Sequence, residues 1–175
     1  MKGELEVFLD RELIAQRVKE LASVISTDYA GKALLLVCVL KGAVIFLADL
    51  VRNLDIPVEL DFVAASSYHG NNSKGQVRLM PVFSTSVQGK DVLIIEDIID
   101  TGLTYRALAN FFTVREPASL KLCTLLDKPS QRRTELIRPE YVGFTIPDKF
   151  VVGYGLDYDG CFRELKDICV FRPQF

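Results

Sequence analysis

Apolar and polar positions divide the chain into short, wholly apolar runs and longer amphipathic stretches. Between Asp10 and Ile25, Leu13, Ile14, Val18, Leu21 and Ile25 recur at helical spacing, which predicts an opening helix with one buried side. Asp10 stands where an N-cap belongs, its carboxylate able to accept from first-turn amides. Residues 33–40 are then apolar without a break, and so short a run predicts a strand covered on both faces, as in a parallel sheet. Val44, Leu47, Val51 and Leu54 return to helical spacing, with Asp49, Arg52 and Asn53 on the other side. Strand then helix is the first half of a βαβ unit.

Residues 58–65 begin by alternating with Glu59 and Asp61, which suits a strand nearer an edge. The polar, glycine-containing stretch 66–75 is too long for a tight hairpin and predicts a mobile loop, with a strand over 76–82 on its far side. Val92–Ile95 predicts a second buried strand, residues 104–115 a helix, and 120–126 a third buried strand. Two strand–helix units feeding one sheet argue for an α/β fold with right-handed crossovers. From Tyr141 onward Gly, Asp, Tyr and Pro are frequent, with apolar pieces at 151–152 and 168–171. That tail predicts strands and loops capping the sheet rather than another βαβ unit. No repeat or linker interrupts the 175 residues, so a single domain over 1–175 is expected.

Composition changes this picture little. Hydrophobic residues make up 49% and charged residues 25%, as in an ordinary globular protein. With 21 basic and 23 acidic side chains the net charge is -2, which gives no reason to expect nucleic acid or a membrane surface as partner. The N-terminal segment is charged throughout, and no stretch approaches the roughly 18 apolar residues of a membrane span. A cytoplasmic location is the expectation. Cys38, Cys123, Cys161 and Cys169 form no CxxC pair, and three of them (38, 123 and 169) lie in apolar runs, which predicts buried free thiols.

The chemistry concentrates after the 92–95 strand. Ligands of open α/β sheets bind beyond the carboxyl ends of the strands. There the chain carries Glu96-Asp97-Ile98-Ile99-Asp100-Thr101-Gly102-Leu103-Thr104. Thr101 to Thr104 offer backbone N–H groups, two hydroxyls and a helix N-terminus, an anion site in which Gly102 permits close approach or a positive φ. Glu96 and Asp97 would repel a phosphate unless a cation lay between, and their hard oxygens suit Mg²⁺ completed by substrate oxygens and water. A ligand with a phosphate at one end and metal-bound oxygens at the other is implied. No GxxxxGK[ST] sequence occurs, and Gly153-Tyr-Gly155 lacks the third glycine of a dinucleotide fingerprint.

The segment from Val92 to Thr104 closely resembles the phosphoribosyl pyrophosphate motif of type I phosphoribosyltransferases. Leu40-Lys41-Gly42, Ser66-Ser67-Tyr68, Leu126-Asp127-Lys128 and the run Ile146 to Tyr158 narrow the resemblance to the hypoxanthine-guanine branch, in the same order over residues 5–170. The resemblance implies a central, mostly parallel sheet flanked by helices, with a small hood built from the C-terminal and N-terminal segments. It implies transfer of phosphoribose to N9 of a 6-oxopurine, giving IMP or GMP, with Mg²⁺ as cofactor and a homodimer or homotetramer as the assembly.

Residue by residue, the resemblance implies that Asp100 is the general acid/base near purine N7 and belongs to the sugar-phosphate site. Glu96 and Asp97 would serve the ribose hydroxyls and their metal, and Thr101, Gly102, Leu103 and Thr104 the 5′-phosphate. Lys41, Gly42 and Arg163 would receive pyrophosphate, the first two through a loop that in relatives contains a cis peptide. Lys128 would donate to purine O6, Phe150 stack on the base, Val151 contact its edge, and Asp157 hold a second metal on the purine side. Ser67 and Tyr68 would belong to a lid, whose polar stretch 69–75 includes His69. Gly160-Cys161 departs from the bulkier residues associated with the family. Two rivals remain open: a xanthine- or adenine-preferring transferase, and a non-catalytic regulator that binds the same sugar phosphate. Lys128, a donor without acceptors, argues against adenine.

Overall fold

The computed structural model describes residues 3–67, 77–81, 85–131 and 137–174. In chain order they form β1 (Gly3–Leu9), α1 (Arg11–Asp28), β2 (Leu34–Leu40), α2 (Val44–Val51), β3 (Val58–Ser67) and β4 (Val77–Pro81). There follow β5 (Asp91–Ile99), α3 (Leu103–Thr113), β6 (Ser119–Asp127), β7 (Tyr141–Thr145), β8 (Val151–Val152) and β9 (Ile168–Pro173).

The unbroken apolar run of β2 reflects cover on both faces. Leu34, Leu36 and Cys38 pack with α1 and α2, while Leu35, Val37 and Val39 pack with Leu108 and Phe112 of α3. β5 repeats the division, with Leu93 and Ile95 on the first side and Val92 and Ile94 on the second. These strands lie at the centre of a six-stranded sheet of order β4-β3-β2-β5-β6-β7. All neighbouring pairs are parallel except β3 with β4, which are antiparallel. A second, antiparallel sheet of order β1-β9-β8 joins the two ends of the chain and forms the expected hood.

Asp10 caps α1 as expected, accepting the Leu13 N–H at 2.9 Å. Ile14, Val18, Leu21 and Ile25 are buried, but Leu13 is exposed, one position off the buried stripe. The second helix stops at Val51, so Leu54 lies beyond it. β7 corrects the expectation that everything after Tyr141 caps the sheet: it extends the main sheet as a parallel edge strand beside β6. Gly143 makes that pairing possible, because a Cβ there would stand 2.4 Å from the Leu125 carbonyl oxygen. Cys38, Cys123 and Cys169 are buried free thiols, as predicted, and Cys161 is exposed. Among the described residues no helix is long and apolar enough to cross a membrane.

Candidate active site

β5 brings its chemistry to the carboxyl end of the sheet. The strand extends through Ile99, so Glu96 and Asp97 belong to the strand itself and not to the loop after it. Their positions are rigid for that reason. Glu96 is 5% exposed and meets no hydrogen-bond donor among the described residues. Burial, reinforced by the neighbouring Asp97 carboxylate, pushes its pKa well above the usual carboxylate range. Burial likewise raises Asp97 to about 6. The Ile98 N–H, donated to Asp97 Oδ1 at 2.8 Å, and the Arg163 guanidinium oppose that rise, while the Asp157 carboxylate adds to it.

Opposite Asp97 is the turn after β2. The Leu40–Lys41 peptide bond is cis, and Lys41 is exposed. Gly42 fits because it lacks a side chain: a Cβ would lie 1.6 Å from Asp97 Oδ2. On its other side the Gly42 carbonyl oxygen would stand 2.1 Å from a Cβ at Gly155, whose φ of +100° also requires glycine. The hood loop that contains Gly155 continues to Asp157. Arg163 ties this loop together, donating to the Gly155 carbonyl at 2.5 Å and pairing with Asp157 Oδ1 at 2.6 Å. Asp157 Oδ2 accepts from the Gly160 N–H at 2.7 Å.

α3 begins at Leu103 with Gly102 as N-cap in the left-handed region, φ 78°. No side chain caps this helix. Thr101 Oγ1 accepts from the Leu103 N–H only at 3.5 Å, which leaves first-turn amides available for an anion.

One cavity of about 330 Å³ gathers Lys41, Gly42, Glu96, Asp97, Asp100, Thr101, Gly102, Thr104, Asp157 and Arg163. Leu103 does not line it, and Tyr105 and Ile99, not anticipated from the sequence, do. Asp100 is exposed at its rim. Lys128, Phe150 and Val151 stand outside this cavity. The Lys128 N–H is bound to the Ile99 carbonyl at 2.9 Å, so it adjoins the same strand end. Lys128 is buried and its ammonium pairs with Asp148, a residue the sequence did not single out. Phe150 is 50% exposed, edge-on to Tyr158 at 5.7 Å, and Val151 is buried in the β8–β9 pairing. The Ser67 main chain ends β3, whereas Tyr68, His69 and the rest of the expected lid lie outside the described residues. Nothing local in the sequence marks Asp148, since its partner is 20 residues away.

Among the described residues no three acidic, histidine or cysteine side chains converge to hold a metal ion unaided. An anion nest shares one cleft with the carboxylates of buried Glu96 and half-buried Asp97, which suits a phosphorylated, polyhydroxylated ligand.

Residues 5–159 match the phosphoribosyl transferase domain family. A hypoxanthine-guanine phosphoribosyltransferase of Bacillus subtilis is 47% identical over 176 residues, covering 99% of this chain and 97% of that relative. Among solved structures, a hypoxanthine phosphoribosyltransferase from Staphylococcus aureus superposes with a TM-score of 0.90 at 44% identity, covering 96% of this chain and 91% of its own. The Trypanosoma cruzi hypoxanthine phosphoribosyltransferase, solved in complex with the product IMP, gives 0.89 at 45% identity, with coverage of 98% and 95%. Sequence, fold and cleft agree, and the chain belongs to the phosphoribosyltransferase family, in its hypoxanthine-guanine branch.

Proposed function

We propose that the protein transfers the 5-phosphoribosyl group from phosphoribosyl pyrophosphate to N9 of hypoxanthine or guanine, giving IMP or GMP and pyrophosphate. The observation that carries this reading is the meeting, in one cavity, of an uncapped helix N-terminus with the adjacent carboxylates of buried Glu96 and half-buried Asp97. The uncapped amides and the hydroxyls of Thr101 and Thr104 take the 5′-phosphate, with Leu103 contributing its main chain. Glu96 and Asp97 accept from the ribose hydroxyls. As the bond from C1 to the pyrophosphate oxygen breaks and the bond to purine N9 forms, Lys41, the Gly42 main chain and Arg163 hold the departing anion. Asp100, exposed and without an ion-pair partner among the described residues, takes up the proton that the purine loses. Lys128 donates to O6, which adenine's 6-amino group cannot accept. Phe150 supplies the face on which the base stacks, and Val151 main-chain contacts to its edge.

The donor set fits Mg²⁺: buried Glu96 and half-buried Asp97 present hard oxygens at the head of the cavity, with Asp157 across the cleft. When bound, Mg²⁺ would neutralise pyrophosphate charge, and Glu96, Asp97 and Asp157 would hold it with substrate oxygens completing the shell. Ser67 and Tyr68 belong to the lid in this reading, which excludes water. The same reading takes the chain as one domain acting in the cytoplasm and as a homodimer or homotetramer. An apolar groove lined by Val44, Leu47, Val51, Leu60 and Phe62 supports self-association. Nucleotide formation is measured with hypoxanthine, guanine, xanthine and adenine, each with and without Mg²⁺. Turnover of the first two bases, dependent on Mg²⁺, is expected; absence of turnover with both sinks the reading.

A further inference from the structure

Lys128 carries an ammonium yet is only 7% exposed. A cation so enclosed needs acceptors in fixed places. Among the described residues the side-chain partner is Asp148, whose Oδ1 accepts from Lys128 Nζ at 3.2 Å. The carboxylate is held in turn, because Gln131 Nε2 donates to Asp148 Oδ2 at 2.6 Å. The Gln131 N–H donates to the Lys128 carbonyl at 3.2 Å, closing a ring of contacts through Lys128, Gln131 and Asp148. Asp148 also lies two residues before Phe150, in the connection between β7 and β8. The residues assigned to the O6 edge and to the face of the base are therefore joined through one carboxylate.

We propose that Asp148 is a positioning residue: it fixes the Lys128 ammonium before the base arrives and so sets affinity and selectivity for the 6-oxo group. This rests on Lys128 being the O6 donor. A lysine stem is flexible, and holding it in place beforehand removes most of the ordering cost of binding. The ammonium has three N–H groups; Asp148 occupies one and leaves others for O6 without reorientation. Asp148 itself does not touch the base. Its side chain is 58% exposed, so an amide in its place opens no cavity, and what the substitution removes is the counter-charge of the Lys128 ammonium.

The test is steady-state kinetics of the full chain for Asp148→Asn, Asp148→Glu, Lys128→Gln and the Asp148→Asn/Lys128→Gln pair, with hypoxanthine and with adenine. Asp148→Asn is expected to raise KM for hypoxanthine about tenfold, the loss of one hydrogen bond to a charged group. KM for phosphoribosyl pyrophosphate should move less than about twofold, Asp148→Glu should recover part of the loss, and adenine discrimination should fall. In the Lys128→Gln background the Asp148→Asn change should add less than about twofold, because a residue acting through another is silent once that other is gone. An Asp148→Asn protein with unchanged or lower KM for hypoxanthine overturns the proposal. So does an equal rise in both KM values, or multiplication of the two single effects. If the unsubstituted protein makes no nucleotide from hypoxanthine, the functional reading falls and takes the proposal with it. If it does, Lys128→Gln loses discrimination and Asp148→Asn is silent, the proposal alone falls.

Discussion

Asp97 is a carboxyl that folding makes harder to ionise, and the sign of the consequence follows. Its pKa stands at about 6 in the folded chain, above its unfolded value, so between roughly pH 4 and 6 the folded state binds more protons than the unfolded state. Stability is therefore greatest below that window and declines as pH rises through it, by on the order of 2–3 kcal/mol for this group. Glu96, held above the usual carboxylate range by burial and by the Asp97 carboxylate, acts in the same direction. The thermal midpoint, measured without divalent cations, should fall between pH 4 and pH 7, and Asp97→Asn should flatten the slope. A midpoint that rises across this range contradicts the burial argument. Gly42 supplies a second prediction. With a Cβ only 1.6 Å from Asp97 Oδ2, Gly42→Ala forces the turn or the carboxylate aside. Displacement of about 1 Å in such a site costs about a hundredfold in kcat/KM. Steady-state rates check it, and retention of full activity would mean that the turn yields without consequence.

At the scale of elements, α1 rests on the Asp10 cap, whose side chain accepts from Leu13. Asp10→Ala should cost about 1 kcal/mol of stability, read by chemical denaturation, and leave kcat/KM within about twofold. The elements that could be read from the sequence were those whose burial is one-sided or complete. Continuous apolar residues announced β2 and the 92–95 core of β5, because helices cover both faces, and β6 was legible as a largely apolar run broken at Lys121 and Thr124. β7 escaped because Tyr141 and Gly143 alternate with half-buried positions, and a glycine within five residues suggests a turn unless its neighbour's backbone is known to press on it. The continuation of β5 through Glu96 and Asp97 was hidden for a related reason: buried carboxylates resemble a strand end. The residues that gather around the sugar-phosphate cavity were legible where they are consecutive, from Glu96 to Thr104. Lys41, Asp157 and Arg163 reach the same cavity from other elements, and only a family resemblance pointed to them. Asp148 was not legible at all, since an ion pair across 20 residues leaves no periodic trace.

At the scale of the whole molecule, the two sheets meet where the turn after β2 touches the hood, and the helix that follows this turn carries an exposed apolar face. Val44 and Leu60 are each 41% exposed beside Leu47 and Phe62, an apolar face between α2 and β3. Leu60→Glu should shift the protein toward monomers in sedimentation at micromolar concentration; an unchanged profile removes this face from any assembly. Phe46, on the same helix, is fully buried and belongs to the core rather than to this face. The meeting point itself has a consequence for how the protein can diversify. A Cβ at Gly42 would strike the Asp97 carboxylate and one at Gly155 the Gly42 carbonyl oxygen, so neither can be exchanged without parting the walls of the cleft. The half of the cleft proposed for the sugar phosphate is thereby constrained on two sides. Phe150, outside that cavity and half-exposed on the connection between β7 and β8, meets no such packing constraint on its exposed side. New acceptor bases are thus accessible by single substitutions, whereas a new donor would demand rebuilding two loops at once.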